Sequence, residues 1–299
     1  MLLLSPQHWP DYELVDSGNF GKLERFGAYF LVRPEPKALW NKSFSEREWD
    51  QLVHTRFVSG AGLGKAGKED SGTWQTVRKM PEQWLINYRG DGFGFSMRLG
   101  LTAFKHVGLF PEQAPNWEYV YQAVKRVKQV DAMPKVLNLF AYTGGASLAA
   151  CAAGADVTHL DAVRQVVTWA RENMELSRME GIRWILEDAL KFVRRQSRRE
   201  VLYQGIILDP PAYGHGPEGE RWKLDACLFD LLQECNAVLA PKNSFVVLNL
   251  YSNGYSAVLA QTLARQAFGV AERCSFGELI LEDKFGKQLP LSVFARLER

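Results

Sequence analysis

From Val136 to the C-terminus, short apolar runs alternate with stretches in which apolar side chains recur every three or four positions. The runs predict strands at 136–140, 156–160, 183–187, 204–209, 244–250, 270–281 and 290–297. Helices are predicted between the first six. Val163, Val166, Val167, Ala170 and Met174 give one its apolar face, and Leu224, Leu228, Leu231, Leu232, Cys235, Val238 and Leu239 give another. Strand–helix alternation implies a parallel sheet with right-handed crossovers. Glu282 to Lys287 carries no helical pattern, so the last two strands are expected to pair antiparallel. The expectation is an α/β, Rossmann-like fold with a seven-stranded, mostly parallel sheet.

Residues 11 to 110 read differently. Tyr12–Asp16, Gly27–Val32 and Trp84–Tyr88 are short aromatic and β-branched runs, separated by turn sequences rich in Asp, Gly and Pro. They predict a small β-rich domain. Ser59 to Gly72 holds five glycines with Lys65 and Lys68 and reads as a mobile tip. Val120, Ala123, Val124, Val127 and Val130 predict a helix over 117–130 that, with the Pro134 break, links the halves. The expected division is a β-rich domain at 1–115 and a second domain at 116–299.

Composition narrows the picture only slightly. A hydrophobic fraction of 46% and mean hydropathy of −0.21 suit a soluble globular chain, and a net charge of +2 does not itself argue for nucleic acid. Cys151, Cys227, Cys235 and Cys274 lack metal-binding spacing and read as reduced core thiols, so a cytoplasmic location and no metal are expected. Met1–Leu4 is too short for a signal core and no run approaches a membrane span.

The chemistry begins where the first strand of the second half meets its helix. Phe140-Ala141-Tyr142-Thr143-Gly144-Gly145 is a small-residue turn opening a helix N-terminus, which offers unpaired N–H groups and close backbone approach. The dinucleotide spacing G-x-G-x-x-G is absent, because the two glycines are adjacent, which disfavours an NAD-dependent oxidoreductase. Asp161 ends the next strand where a ribose hydroxyl would be held. A cradle without a pyrophosphate loop fits S-adenosyl-L-methionine. A packing Gly-Gly and a capping Asp would give the same pattern, and both readings stay open at this point. After the third strand, Asp188 with Ala189 could meet an adenine amino group, or Asp188 could simply cap a helix.

The fourth strand runs straight into Asp209-Pro210-Pro211-Ala212-Tyr213-Gly214. A carboxylate beside a stiff proline carbonyl can receive both hydrogens of an exocyclic amine, and Tyr213 can stack on a planar base. This arrangement aims the nitrogen at an activated methyl donor, where orientation supplies much of the rate. Coming after Gly144-Gly145, Asp161 and Asp188 in that order, it is a specific signal.

Together these motifs, with Trp169-Ala170-Arg171-Glu172-Asn173, resemble class I S-adenosylmethionine methyltransferases, in particular the subgroup with the large-subunit ribosomal RNA cytosine and guanine methyltransferases. The resemblance runs from about residue 104 to 299. Gly108-Leu109-Phe110-Pro111-Glu112-Gln113 looks like that subgroup's cofactor-lining run ahead of the catalytic domain. The likeness implies cofactor contacts from Phe110, Gln113, Phe140, Ala141, Tyr142, Gly144, Gly145, Asp161, Ala162, Asp188, Ala189 and Asp209. It implies an acceptor facing Asp209, Pro210, Pro211 and Tyr213. No cysteine stands in Asn249 to Gly254 or beside Asp209, which argues against covalent cytosine-C5 chemistry. The usual N-terminal RNA-binding module is replaced by a different β domain.

The expectation is therefore methyl transfer to an exocyclic amine, with RNA as the partner. The alternatives are the same chemistry on a small molecule or protein side chain, and a non-catalytic binding module. Lys191, Arg194, Arg195, Arg198 and Arg199 read either as a phosphate-contacting patch or as a solvated helix face. His215, Arg221, Trp222 and Lys223 suit a substrate-facing flap, and Trp222 equally a core anchor.

Overall fold

The computed structural model describes residues 1–60, 71–251 and 254–299. The chain opens with β1 (Leu2–Leu4), β2 (Tyr12–Gly18), β3 (Gly21–Phe26), β4 (Tyr29–Pro34), α1 (Glu46–Leu52), β5 (Thr55–Ser59) and β6 (Gly72–Thr76). A hairpin follows, β7 (Gln83–Gly90) and β8 (Phe93–Gly100), then a 3₁₀ turn at Pro111–Gln113 and α2 (Ala114–Val127). The second half alternates as expected through β9 (Lys135–Leu139), α3 (Gly145–Ala152), β10 (Asp156–Asp161), α4 (Arg164–Leu176), β11 (Ile182–Leu186), α5 (Ala189–Arg198) and β12 (Gly205–Leu208). A short ribbon, β13 (Tyr213–His215) and β14 (Arg221–Lys223), precedes α6 (Leu224–Val238). Then come β15 (Phe245–Leu250), α7 (Ala257–Phe268), β16 (Arg273–Glu282) and β17 (Gln288–Glu298).

The main sheet has the order β1-β16-β17-β15-β12-β9-β10-β11. The five strands from β15 to β11 are parallel, and β17 is antiparallel to both neighbours, as the patternless turn requires. The central strands are apolar on both faces because helices cover both. Chain order reverses between β9 and β12, the place where open α/β sheets leave a crevice beyond the strand C-termini.

One expectation needs correction. The sheet has eight strands, because Leu2–Leu4 pairs parallel to Gly277–Leu279 at the edge. Across the expected 115/116 division, β1 lies in the sheet of the second half. One hydrophobic core joins Trp9, Tyr12 and Phe26 to Trp117, Val136, Leu148 and Val247 across it. Trp117 meets Trp9, Tyr88 and Phe95 edge-on, at centroid separations of 5.8, 5.1 and 5.4 Å.

The N-terminal part forms a five-stranded sheet, β2 to β6, plus the β7–β8 hairpin. It is tied to the β16–β17 turn by buried polar bonds. Lys287 Nζ donates to Asp16 Oδ1 at 2.7 Å, and Ser17 Oγ to Asp283 Oδ2 at 2.9 Å. Most of the expected tip at Ser59–Gly72 lies outside the described residues; its flanks pair as β5 and β6. The linking helix starts at Ala114 rather than 117, with Pro115 in its first turn, where no N–H partner is lost.

Candidate active site

The loop after β9 has an unusual backbone. Phe140 and Tyr142 both adopt left-handed conformations, with φ of 54° and 49°, and Gly144 follows at 95°. Side chains pay for such geometry, so something must hold it. Asp161, at the end of β10, does so. Its Oδ2 accepts the Tyr142 N–H at 2.9 Å and its Oδ1 the Val163 N–H at 3.0 Å. Burial raises the Asp161 pKa despite these bonds. Beneath the turn, Asn138 Nδ2 donates to Ser147 Oγ, which also meets His159 Nδ1, both at 2.9 Å. Burial drives the His159 pKa down to about 3, leaving a neutral ring.

Gly145 is needed for packing, because a Cβ there would lie 2.7 Å from the Trp117 ring. The packing reading of Gly-Gly is thus correct for Gly145, and both glycines still line the inner end of the site. Gly108 has φ of 95°, and a Cβ there would come within 2.3 Å of Trp169. Thr143 Oγ1 donates to the Gly108 carbonyl at 2.7 Å. The loop that carries Phe110 and Gln113 is thereby pinned over the β9 turn.

The result is a cleft of about 550 Å³ along the strand ends. Phe110, Gln113, Phe140, Tyr142, Asp161, Ala162, Asp188 and Ala189 line it, together with Asp209 to Tyr213. Ala141, Gly144 and Gly145 line a smaller recess that opens from it past Phe140 and Asp209. The residues expected to face the cofactor and the acceptor therefore line one cleft and its recess. Phe110 packs against Tyr142, Tyr251 and His106, at centroid separations of 5.5, 5.4 and 4.9 Å. Asp188 caps α5, its Oδ1 accepting the Lys191 N–H at 2.9 Å, while also facing the cleft. The capping reading of Asp188 holds.

Asp209 is half-buried, with its carboxyl held from two sides. Asn249 Nδ2 donates to Oδ1 at 2.7 Å, and Gln113 Nε2 approaches Oδ2 at 3.5 Å. Burial pushes its pKa up to about 6, against the pull of the Asn249 bond. Trp222 is buried and donates its indole N–H to the Pro211 carbonyl at 2.6 Å, so it is the anchor of the ribbon. His215, Arg221 and Lys223 on that ribbon are exposed, as is Tyr213 at the lip.

The basic cluster on α5 resolves mostly into ion pairs. Lys191 meets Glu218 and Glu220, Arg194 meets Glu234, and Arg195 meets Glu187. The solvated-face reading therefore replaces the phosphate patch for these three. Of the cysteines, Cys235 is buried, but Cys274 is exposed and Cys151 and Cys227 are half-buried. None lines the cleft among the described residues. No group of His, Cys, Asp or Glu there is placed to hold a metal ion, and no helix is long and apolar enough to cross a membrane.

Sequence reasoning missed Asn138 and Asn249. Their signal was present, each being a lone amide within an apolar, buried run of its strand.

The sequence model of the S-adenosylmethionine-dependent methyltransferases matches residues 69–253, more than half of the chain. The chain belongs to this family. A crystal structure of the S-adenosylmethionine-dependent methyltransferase from Agrobacterium tumefaciens is 38% identical over all of this chain and 93% of that one, with a TM-score of 0.89. A protein from Streptococcus mutans described as a methyltransferase shares the fold, with 16% identity, a TM-score of 0.69, and coverage of 96% and 75%. A further fold relative, also 16% identical, was solved with S-adenosylhomocysteine bound.

Among curated proteins, ribosomal RNA large subunit methyltransferase K/L of Shewanella frigidimarina is 29% identical over 163 residues, 53% of this chain and 22% of that protein. The Alteromonas mediterranea protein of the same name is 23% identical over 251 residues, 80% of this chain and 33% of its own length. This methyltransferase thus spans a third or less of either of these relatives.

S-adenosylmethionine is the family's methyl donor, and the donor set here fits it. The inner recess presents Asn138, Asn116, Gln113 and the Gly144-Gly145 helix start, suited to a charged amino-acid end. The outer cleft offers the Asp161 and Asp188 carboxylates among apolar walls, suited to a ribose and an adenine.

Proposed function

We propose that this methyltransferase modifies an exocyclic amine of a base in ribosomal RNA. The observation that carries the reading is the Asp209 carboxylate, fixed at the crevice beside a Pro-Pro turn whose second carbonyl is already occupied by Trp222. The Pro210 carbonyl is then the acceptor left for the amine's second hydrogen, with Asp209 taking the first. Phe140, Gly144, Gly145, Ala141 and Gln113 would hold the methionine end of the cofactor. Asp161, Ala162 and Tyr142 would hold its ribose, and Asp188, Ala189 and Phe110 its adenine. The bound cofactor supplies an electrophilic methyl group on a sulfonium.

The residues of the chain orient the acceptor and take its proton. Two acceptors fix the amine plane, so its lone pair points along one line. Tyr213, 64% exposed at the lip, can stack on the base. Once the nitrogen carries a fourth bond, one proton leaves to Asp209, whose pKa near 6 lets it accept the proton and return it to water. The absence of a cysteine from the described cleft favours this route over covalent C5 attack.

The names of the curated relatives favour ribosomal RNA over a small molecule or protein. The exposed ribbon with His215, Arg221 and Lys223 suits a polyanionic partner. In this reading residues 1–115 form a β-rich domain that walls the catalytic unit at 116–299, and the protein works in the cytoplasm. The test is transfer of a labelled methyl group to unmodified ribosomal RNA by wild type and Asp209→Asn. Label in RNA with wild type alone supports the reading. Label in protein or small molecules only, with RNA blank, overturns it.

A further inference from the structure

A buried polar chain runs into Asp209 from β17. Arg296, on β17 and 7% exposed, donates from Nε and Nη2 to Asn116 Oδ1 at 3.1 and 2.8 Å. Asn116 Nδ2 donates to Gln113 Oε1 at 2.8 Å, and Gln113 Nε2 faces Asp209 Oδ2 at 3.5 Å. On the other side Ser292 Oγ donates to Asn249 Oδ1 at 3.0 Å, and Asn249 Nδ2 donates to Asp209 Oδ1 at 2.7 Å. Arg296 is clamped further by the Pro115 carbonyl at 2.9 Å, and it stacks on the rings of Tyr119 and Phe294 at 4.6 and 4.4 Å.

The direction of this chain is not free. An amide can turn over and exchange donor for acceptor, but a guanidinium has no acceptor. Arg296 therefore fixes the Asn116 oxygen toward itself, which turns the Asn116 nitrogen toward Gln113. That in turn leaves the Gln113 nitrogen for Asp209. A donor-only group at one end and a carboxylate at the other give every amide between them one orientation.

We infer that Arg296 and Asn116 are positioning residues which, through Gln113, hold the Asp209 carboxylate as a fixed acceptor for the substrate amine. The inference rests on the reading of Asp209 given above. It adds that the correct amide orientation is set about three residues away from the chemistry, by a side chain on β17 that lines neither the cleft nor its recess. Burial lowers the Arg296 pKa only to about 10, so it stays charged at neutral pH. Other titratable groups lining the cleft around Asp209 are His106, Tyr142, Asp161, Glu187, Asp188, Tyr213, His215 and Tyr251.

The test is a carbon-13 NMR titration of the aspartate carboxyls, with Asp209 assigned by its loss in Asp209→Asn. It needs neither cofactor nor methyl acceptor, so failure of the RNA reading and failure of the relay are separate results. In Asn116→Leu the relay is cut without a change of charge, and the Asp209 midpoint should rise by about half a pH unit, since one stabilising donor is released. In Asn116→Asp the Arg296 partner is kept but the sense is reversed, turning the Gln113 oxygen toward Asp209, and the rise should be larger. If Asn116→Leu does not fold, Asn116→Ser takes its place with the same expected rise, its hydroxyl being too short to reach Gln113. An unchanged midpoint in the neutral variant overturns the inference. That includes the case where Asn116→Asp alone moves it, because an added charge would do the same.

Discussion

The Trp222 indole N–H donates to the Pro211 carbonyl at 2.6 Å while its ring lies 4.9 Å from that of Phe140. One side chain thus connects the acceptor motif after β12 to the cofactor loop after β9. Trp222→Phe keeps the ring contact and loses the bond. Stability should fall by about 1 kcal/mol, the ordinary worth of such a bond. Methyl transfer should fall more than that predicts, because a freed Pro-Pro turn no longer orients the amine. Urea unfolding beside single-turnover rates checks this, and equal small losses in both would contradict it.

Asp161 holds the strained Phe140–Tyr142 turn through the Tyr142 N–H and also faces the cleft. Removing it therefore costs a direct contact and the shape of the cradle. Asp161→Ala should weaken S-adenosylhomocysteine by about 10- to 100-fold, or about 1.4 to 3 kcal/mol. Isothermal titration reads this directly. Unchanged affinity would remove Asp161 from the cofactor site.

Asp209 gives a pH signature of known sign. Its native pKa of about 6 lies above the ordinary carboxylate value of 3.8. The folded chain binds this proton more tightly than the unfolded chain, so this carboxyl's contribution to stability declines between about pH 4 and pH 6. Asp209→Asn stays neutral. It should match wild type near pH 4 and be more stable by about 1–2 kcal/mol at pH 8, the full shift being discounted for partial exposure. The same variant should lose about 100-fold or more of its methyl transfer. Urea titrations at the two pH values decide the first point. Equal stability at pH 8 would mean that the carboxyl is not strained by burial.

Gly145→Ala should be costly because its new methyl would strike the Trp117 ring at 2.7 Å. Overpacking of this kind costs about 1–3 kcal/mol. Trp117 also packs against Trp9 and Tyr88, so the displacement should reach the N-terminal part and lower the melting temperature of the whole chain. A separate early transition of one half would contradict the shared core.

The second half was readable in the sequence because its signals are local. Apolar strands, amphipathic helices and a carboxylate or glycine turn at each strand end lie within a few residues of one another. Even the antiparallel pairing of β16 and β17 followed from a turn without helical pattern. Leu2–Leu4 was not readable as a strand of the main sheet, since three apolar residues carry no period and their partner lies at Gly277–Leu279. The N-terminal β3, β5, β6 and β8 were equally hidden. β3, for example, alternates charged residues that turn out to be buried and paired, with Arg33 Nε donating to Glu24 Oε2 at 2.7 Å. Likewise, Lys191, Arg194 and Arg195 looked like a basic patch because their partners, Glu218, Glu234 and Glu187, meet them only in the fold. Asn116 and Arg296 belong to the same class, since 180 residues separate two groups that bond.

The most direct measurement of the central claim is the identity of the modified nucleoside. Unmodified ribosomal RNA is incubated with the enzyme and isotopically labelled S-adenosylmethionine, then digested and resolved by mass spectrometry. The account predicts one labelled nucleoside with its methyl group on an exocyclic nitrogen, absent with Asp209→Asn. A methyl group on a ring carbon, a ring nitrogen or the ribose 2′-oxygen would contradict the role given to Asp209 and Pro210.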